Sequence, residues 1–84
     1  MPYQIILSNA AVKQLGKLPL AIAQRIQVRL FELENDPRPA GCKKLVNVEA
    51  WRIRIGDYRV IYEIQDTILL VTVIEIGHRR DIYK

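Results

Sequence analysis

The chain has 84 residues, half of them hydrophobic, with 13 Lys or Arg against 9 Asp or Glu and a net charge of +4. That length suits one small domain spanning 1–84, the apolar content argues against disorder, and the positive balance suits an anionic partner such as nucleic acid or an acidic protein. A single cysteine, Cys42, excludes an intrachain disulfide and a cysteine metal cluster. No apolar run reaches the about 20 residues of a membrane helix, and MPYQIILSNAAVK lacks a signal-peptide pattern, so the expectation is a cytoplasmic protein with no membrane partner.

YQIIL (3–7) is short, apolar and β-branched, and reads as a strand. Ser8 and Asn9 offer cap oxygens to a helix over roughly 9–17, with Ala11, Val12, Leu15 and Leu18 as its apolar stripe and Gly16 near its end. Pro19 opens a second helix, because its missing N–H costs nothing there. Ile22, Ile26, Leu30 and Leu33 mark one face of that helix, and Asp36–Pro37 ends it. Two helices joined so tightly fold back as a hairpin.

DPRPAGC (36–42) is a connector, and KKLVNV (43–48) reads as a short strand. WRIRI (51–55), YRVIYEIQ (58–65) and ILLVTVIEIG (68–77) follow, separated by Gly56–Asp57 and Asp66–Thr67, which is hairpin spacing. The expected class is α+β: an N-terminal strand, a helical hairpin, then an antiparallel β-meander with the helices on one face of the sheet. The last strand, apolar at nearly every position, reads as central and buried on both sides.

The Gly56–Asp57 turn fixes a register in which Ile55 faces Tyr58, Arg54 faces Arg59, Ile53 faces Val60 and Arg52 faces Ile61. Paired residues share a face, so Trp51, Ile53, Ile55, Tyr58, Val60 and Tyr62 form an apolar face. Arg52, Arg54 and Arg59 take the other. Like charges set opposite each other destabilise a hairpin, so three arginines there read either as a solvated sheet face, with stems suited to a strand and heads suited to solubility, or as forked donors for phosphate. Asp57 and Glu63 stand nearby. The closing segment GHRRDIYK adds His78, Arg79, Arg80, Tyr83 and Lys84, and Lys43 and Lys44 approach from the connector. Basic side chains with a tyrosine able to stack on a base suit unpaired RNA. Lys13/Lys17 and Arg25/Arg29, each pair four apart, read as solvated helix faces.

The core WRIRIGDYRVIYEI, preceded by KKLVNVEA and followed by TVIEIGHRRDIY, resembles the RelE/ParE toxin superfamily, and more closely its RelE branch. The resemblance covers the whole chain. It implies the toxin of a type II toxin–antitoxin system: a ribosome-dependent endoribonuclease, an mRNA interferase that cuts messenger RNA in the ribosomal A site. It also implies contact with ribosomal RNA and neutralisation by a cognate RelB-like antitoxin. Residue by residue, the resemblance assigns catalysis to Arg52, Arg54, Arg59, Arg79 and Tyr83. Lys43, Lys44, His78, Arg80 and Lys84 are then the RNA-binding set.

RelE itself has lysines where this chain has Arg52 and Arg54. An arginine cannot give up its proton, so these two read as charge stabilisers and the general base lies elsewhere. The expected reaction is attack of the 2′-hydroxyl on the adjacent phosphate, with arginines supplying the charge and neither metal nor cofactor called for. Tyr83 stacks on a base or shuttles the proton. Two alternatives stand beside this reading: a ParE-like toxin that poisons DNA gyrase without cleaving RNA, and a non-enzymatic basic RNA-binding module.

Overall fold

The computed structural model describes residues 2–78. Gln4–Leu7 forms strand β1, Asn9–Gly16 helix α1 and Leu20–Glu32 helix α2. Lys43–Lys44, Trp51–Ile55, Tyr58–Gln65 and Leu70–His78 form strands β2, β3, β4 and β5. The strands make one sheet in the order β1-β5-β4-β3-β2. Strands β2 to β5 run as an antiparallel meander, and β1 joins the free side of β5 in parallel. The α+β class and the element order are as the sequence indicates; β5 lies inside the sheet between β1 and β4, but only its core-facing Val71, Val73 and Ile76 are fully buried, so it is not buried on both sides.

Helix α1 starts at Ser8, whose backbone is extended and whose hydroxyl accepts the Ala11 amide at 3.1 Å. Helix α2 follows Pro19 and stops at Glu32, short of Asp36–Pro37. The amides of Leu33, Glu34 and Asn35 reach carbonyls only three residues back, so the chain tightens out of the helix. The Glu34 carbonyl then accepts the Tyr3 amide at 2.8 Å and ties this corner to the start of β1. Ala11 from α1, Ile26 and Leu30 from α2, and Leu33 close over Ile53, Ile55, Val60, Tyr62, Val71, Val73 and Ile76 of the sheet. Burying each large aliphatic chain contributes roughly 1.5–3 kcal/mol.

Two segments depart from the sequence expectation. KKLVNV is a strand only at Lys43–Lys44: the Leu45 amide bonds back to the Ala50 carbonyl at 2.9 Å and Asn47 turns to φ 66°, which makes a loop of the rest. The link after β4 is longer than Asp66–Thr67. Asp66–Ile68 forms a 3-10 turn, and Leu69 takes a left-handed φ of 53° before β5 begins. A two-residue link needs φ values that a β-branched Thr67 resists, so the chain takes two more residues to reverse.

Strand β5 carries a bulge. Ile61 pairs with Glu75 and Tyr62 with Val73, which leaves Ile74 as an extra residue. The slip lets Val71, Val73 and Ile76 all face the core. It is clamped from α1: the Ser8 hydroxyl donates to the Ile74 carbonyl at 2.8 Å, and the Gln14 side-chain carbonyl accepts the Ile76 amide at 2.7 Å. At the turn after β4, Arg38 grips Asp66 through two nitrogens at 2.9 and 3.2 Å, and the Tyr3 hydroxyl donates to the same carboxylate at 2.6 Å. Arg38 also lies 5.1 Å from the centre of the Trp51 ring. Among the described residues no helix is long and apolar enough to cross a membrane.

Candidate functional site

Gly56 takes φ +60°, a conformation that glycine adopts without strain, and so lets β3 and β4 join through two residues. The observed register is Arg52↔Ile61, Ile53↔Val60, Arg54↔Arg59 and Ile55↔Tyr58, as the turn predicts. Arg52, Arg54 and Arg59 therefore share the face opposite the helices. Lys43 pairs with Arg52, Glu75 with Ile61 and Gly77 with Arg59, so all three belong to that face too.

Burial divides the arginines. Arg54 is exposed, whereas Arg52 and Arg59 are only 5 % and 4 % exposed. Desolvating a guanidinium is costly, and its charge cannot be shed by deprotonation. Nη1 of Arg52 is buried with no hydrogen-bond partner among the described residues. The sequence pattern separates the faces of the hairpin but is silent on this burial, because alternation marks a polar face without saying whether water reaches it.

Arg54 stands where the sheet narrows. Strand β2 pairs with β3 only at Trp51 and Arg52, so farther along β3 is itself an edge. Helix α2 covers that edge: Arg29 Nη1 donates to the Arg54 carbonyl at 3.4 Å while its Nε holds Glu32 at 3.2 Å. The Arg25 guanidinium reaches to 3.8 Å from where a Cβ on Gly56 would stand. Arg25, Arg29, Arg54 and Gly56 thus line one groove. Arg25 is exposed, as a solvated helix face implies, and Arg29 is half-buried where it reaches the edge of β3.

Lys44, expected beside the arginines, reaches the other way and pairs with Glu49 at 3.4 Å. His78 pairs with Tyr58 in the sheet, and its ring meets the Tyr58 ring edge-on at 5.4 Å, so it keeps company with the apolar face. Arg79, Arg80, Tyr83 and Lys84 lie outside the described residues. Among the described residues no three His, Cys, Asp or Glu side chains are grouped as metal ligands.

The residue that sequence reasoning missed is Glu75, a half-buried carboxylate on the arginine face. Its signal is the spacing of Val71, Val73 and Ile76: two, then three. That slip of phase within an apolar run betrays the bulge. Burial, with the Cys42 thiol nearby, pushes the Tyr62 hydroxyl well above its usual value while it donates to the Pro37 carbonyl at 2.7 Å. Hydrogen bonds from Arg38 and then Tyr3 hold the Asp66 carboxyl below the usual carboxylate range.

Residues 5–83 match the model of the family described as ParE toxin of type II toxin–antitoxin system, parDE. The chain is 33% identical over 87 residues to Toxin RelG of Mycobacterium tuberculosis, covering 100% of this chain and 99% of that protein. The toxin–antitoxin complex RelBE2 of M. tuberculosis is similar in structure, with TM-score 0.84 and 28% identity over 94% of this chain and 100% of that one. An archaeal RelE–RelB complex from Pyrococcus horikoshii gives TM-score 0.84 and 29% identity over 94% and 97%. The intact RelBE complex of Escherichia coli gives 0.79 and 26% over 90% and 95%.

Proposed function

Given that the chain belongs to the ParE toxin family of type II toxin–antitoxin systems, within the RelE/ParE superfamily, we propose that this toxin is a ribosome-dependent endoribonuclease held inactive by a RelB-like antitoxin. The 2′-hydroxyl of the message attacks the adjacent phosphate, and guanidiniums stabilise the charge that develops on its oxygens. Arg59 and Arg79 take the scissile phosphate. Arg52 and Arg54 hold flanking phosphates or the leaving oxygen, and Tyr83 stacks on a base or shuttles the proton.

One observation carries this reading. Two guanidiniums are almost fully buried on one rigid face, and Arg52 keeps a nitrogen there without a protein acceptor among the described residues. A buried Arg52 nitrogen left in that state opposes folding unless an oxyanion completes the site. An enzyme of this build gains much of its rate from a substrate already held in reactive geometry, which is what a ribosome supplies. The antitoxin is expected to cover the sheet and the helix pair. The exposed Leu20, Val28 and Phe31 of α2 offer it apolar contacts.

The family model bears the name of ParE, and this favours a second reading, a gyrase poison that leaves RNA intact. Inducing the toxin in cells and mapping new RNA 5′ ends separates the two. Cuts within translated codons support the nuclease; intact messages with broken DNA support the gyrase poison. With purified components, ribosome-bound message is cut and free RNA is not. Arg59→Ala lowers the cutting rate about 10²–10³-fold, the usual loss when one preorganised donor is removed.

A further inference from the structure

We propose that Glu75 is the general base of this toxin, the group that takes the proton from the attacking 2′-hydroxyl. The inference rests on the nuclease reading and supplies what that reading lacks. Every cation the site offers among the described residues is Arg or Lys, and the arginines cannot accept a proton. His78 turns its ring to Tyr58. Asp57 sits in the exposed turn, and Glu63 is exposed one step farther along β4.

Glu75 differs from both acids. It shares a cross-sheet row with Ile61, Arg52 and Lys43. It is also the diagonal neighbour of Arg59, because Arg59 pairs with Gly77 two residues on. Diagonal partners lie about 7–8 Å apart at their Cα atoms, within reach of long side chains, and Gly77 puts no side chain between them. Glu75 is half-buried and takes no part in any ion pair or hydrogen bond among the described residues. A carboxylate placed there only to neutralise the arginines would be tied to one of them. One carboxylate among Arg52, Arg54, Arg59 and Lys43 also leaves the face positive enough for RNA.

The backbone aims it. With unbroken alternation from Val73, position 75 would fall on the core face, beside Val71 and Val73. The extra residue Ile74 reverses the phase and turns Glu75 to the arginine side while Ile76 enters the core. Bulges re-aim side chains in this way beside active sites. Ser8 and Gln14 of the α1 segment hold the carbonyl of Ile74 and the amide of Ile76, so the aim is fixed from the opposite face of the sheet.

In the proposed step the Glu75 carboxylate takes the 2′-hydroxyl proton as the O2′–P bond forms and the P–O5′ bond breaks. The 5′ oxygen takes a proton from water, and Glu75 later returns its own to solvent. The products are a 2′,3′-cyclic phosphate and a 5′-hydroxyl, and the proton count closes.

The test uses the purified full-length toxin on ribosomes programmed with a short message, in single turnover. Glu75→Gln should cut about 10²–10⁴-fold more slowly, the usual contribution of a general base, while binding the antitoxin as the wild type does. Glu75→Ala should be equally slow and recover part of its rate in formate, which a purely structural role would not allow. Cutting by Glu75→Gln within threefold of wild type overturns the assignment, as does a Glu75→Ala protein that formate leaves unchanged. If wild type cuts, Arg59→Ala does not and Glu75→Gln does, only Glu75 is wrong. Wild-type protein that leaves ribosome-bound message intact removes the nuclease reading and this one together.

Discussion

Neighbouring residues of β4 are buried to nearly the same degree by opposite chemistry: Val60 and Tyr62 at 0 %, Arg59 at 4 %. On the helix face, burial is what drives folding, since every side chain that leaves water there is apolar or, like Tyr62, has its hydroxyl satisfied. On the arginine face, burial strips water from cations, so stability there depends on what pairs with them. A chain this small has little stability to spare. The two faces therefore teach that equal burial draws on different forces: apolar contact on one side of the sheet, charge compensation on the other.

The largest blow to that contrast comes from the helix side. Tyr62 is the largest side chain fully removed from water, and Tyr62→Ala should cost about 3–5 kcal/mol, read as a lower urea midpoint. Arg52→Met sharpens the contrast from the other side. It removes a buried cation while keeping volume, so the thermal midpoint should hold or rise. Cleavage should meanwhile fall about 10²–10³-fold. A thermal loss matching that of Tyr62→Ala would mean that the two faces do not differ in kind.

The smallest effect lies away from both faces, at Asp66. Its folded carboxyl titrates below the ordinary value near 3.9 because Arg38 and Tyr3 hold the charged form. A lowered folded pKa gives stability that is present at neutral pH and lost as pH falls from about 4 through the folded value. Urea midpoints between pH 6 and pH 2 should show wild type losing ground to Asp66→Asn on the acid side alone. Parallel curves would show that the Arg38 grip contributes nothing.

The sequence made the helix face readable because apolar periodicity and one turn, Gly56–Asp57, fix it. The hairpin register follows residue by residue from that turn, and so does the grouping of Arg52, Arg54 and Arg59. Reading failed where local geometry is set by backbone bonds and packing that composition does not reveal. KKLVNV has strand composition, but a bond from the Leu45 amide to the Ala50 carbonyl makes most of it a loop. The Ile74 bulge hides in a run where every residue but two is apolar, so Glu75 reads as an interruption rather than as a member of the site. Arg25 stays exposed, as its spacing suggests, but nothing in that spacing says that α2 crosses the bare edge of β3 or that Arg29 bonds the Arg54 carbonyl there.

The parallel pairing of β1 with β5 joins the start of the chain to a strand made long afterwards; Ser8 and the Ile74 carbonyl it holds are 66 residues apart. Closing so long a loop is slow compared with forming the helical hairpin, so the sheet is completed late in folding. During synthesis the arginine hairpin leaves the ribosome before the strand that sets Gly77 and Glu75 against it. A growing chain therefore carries Arg52, Arg54 and Arg59 before the carboxylate that comes to share their face.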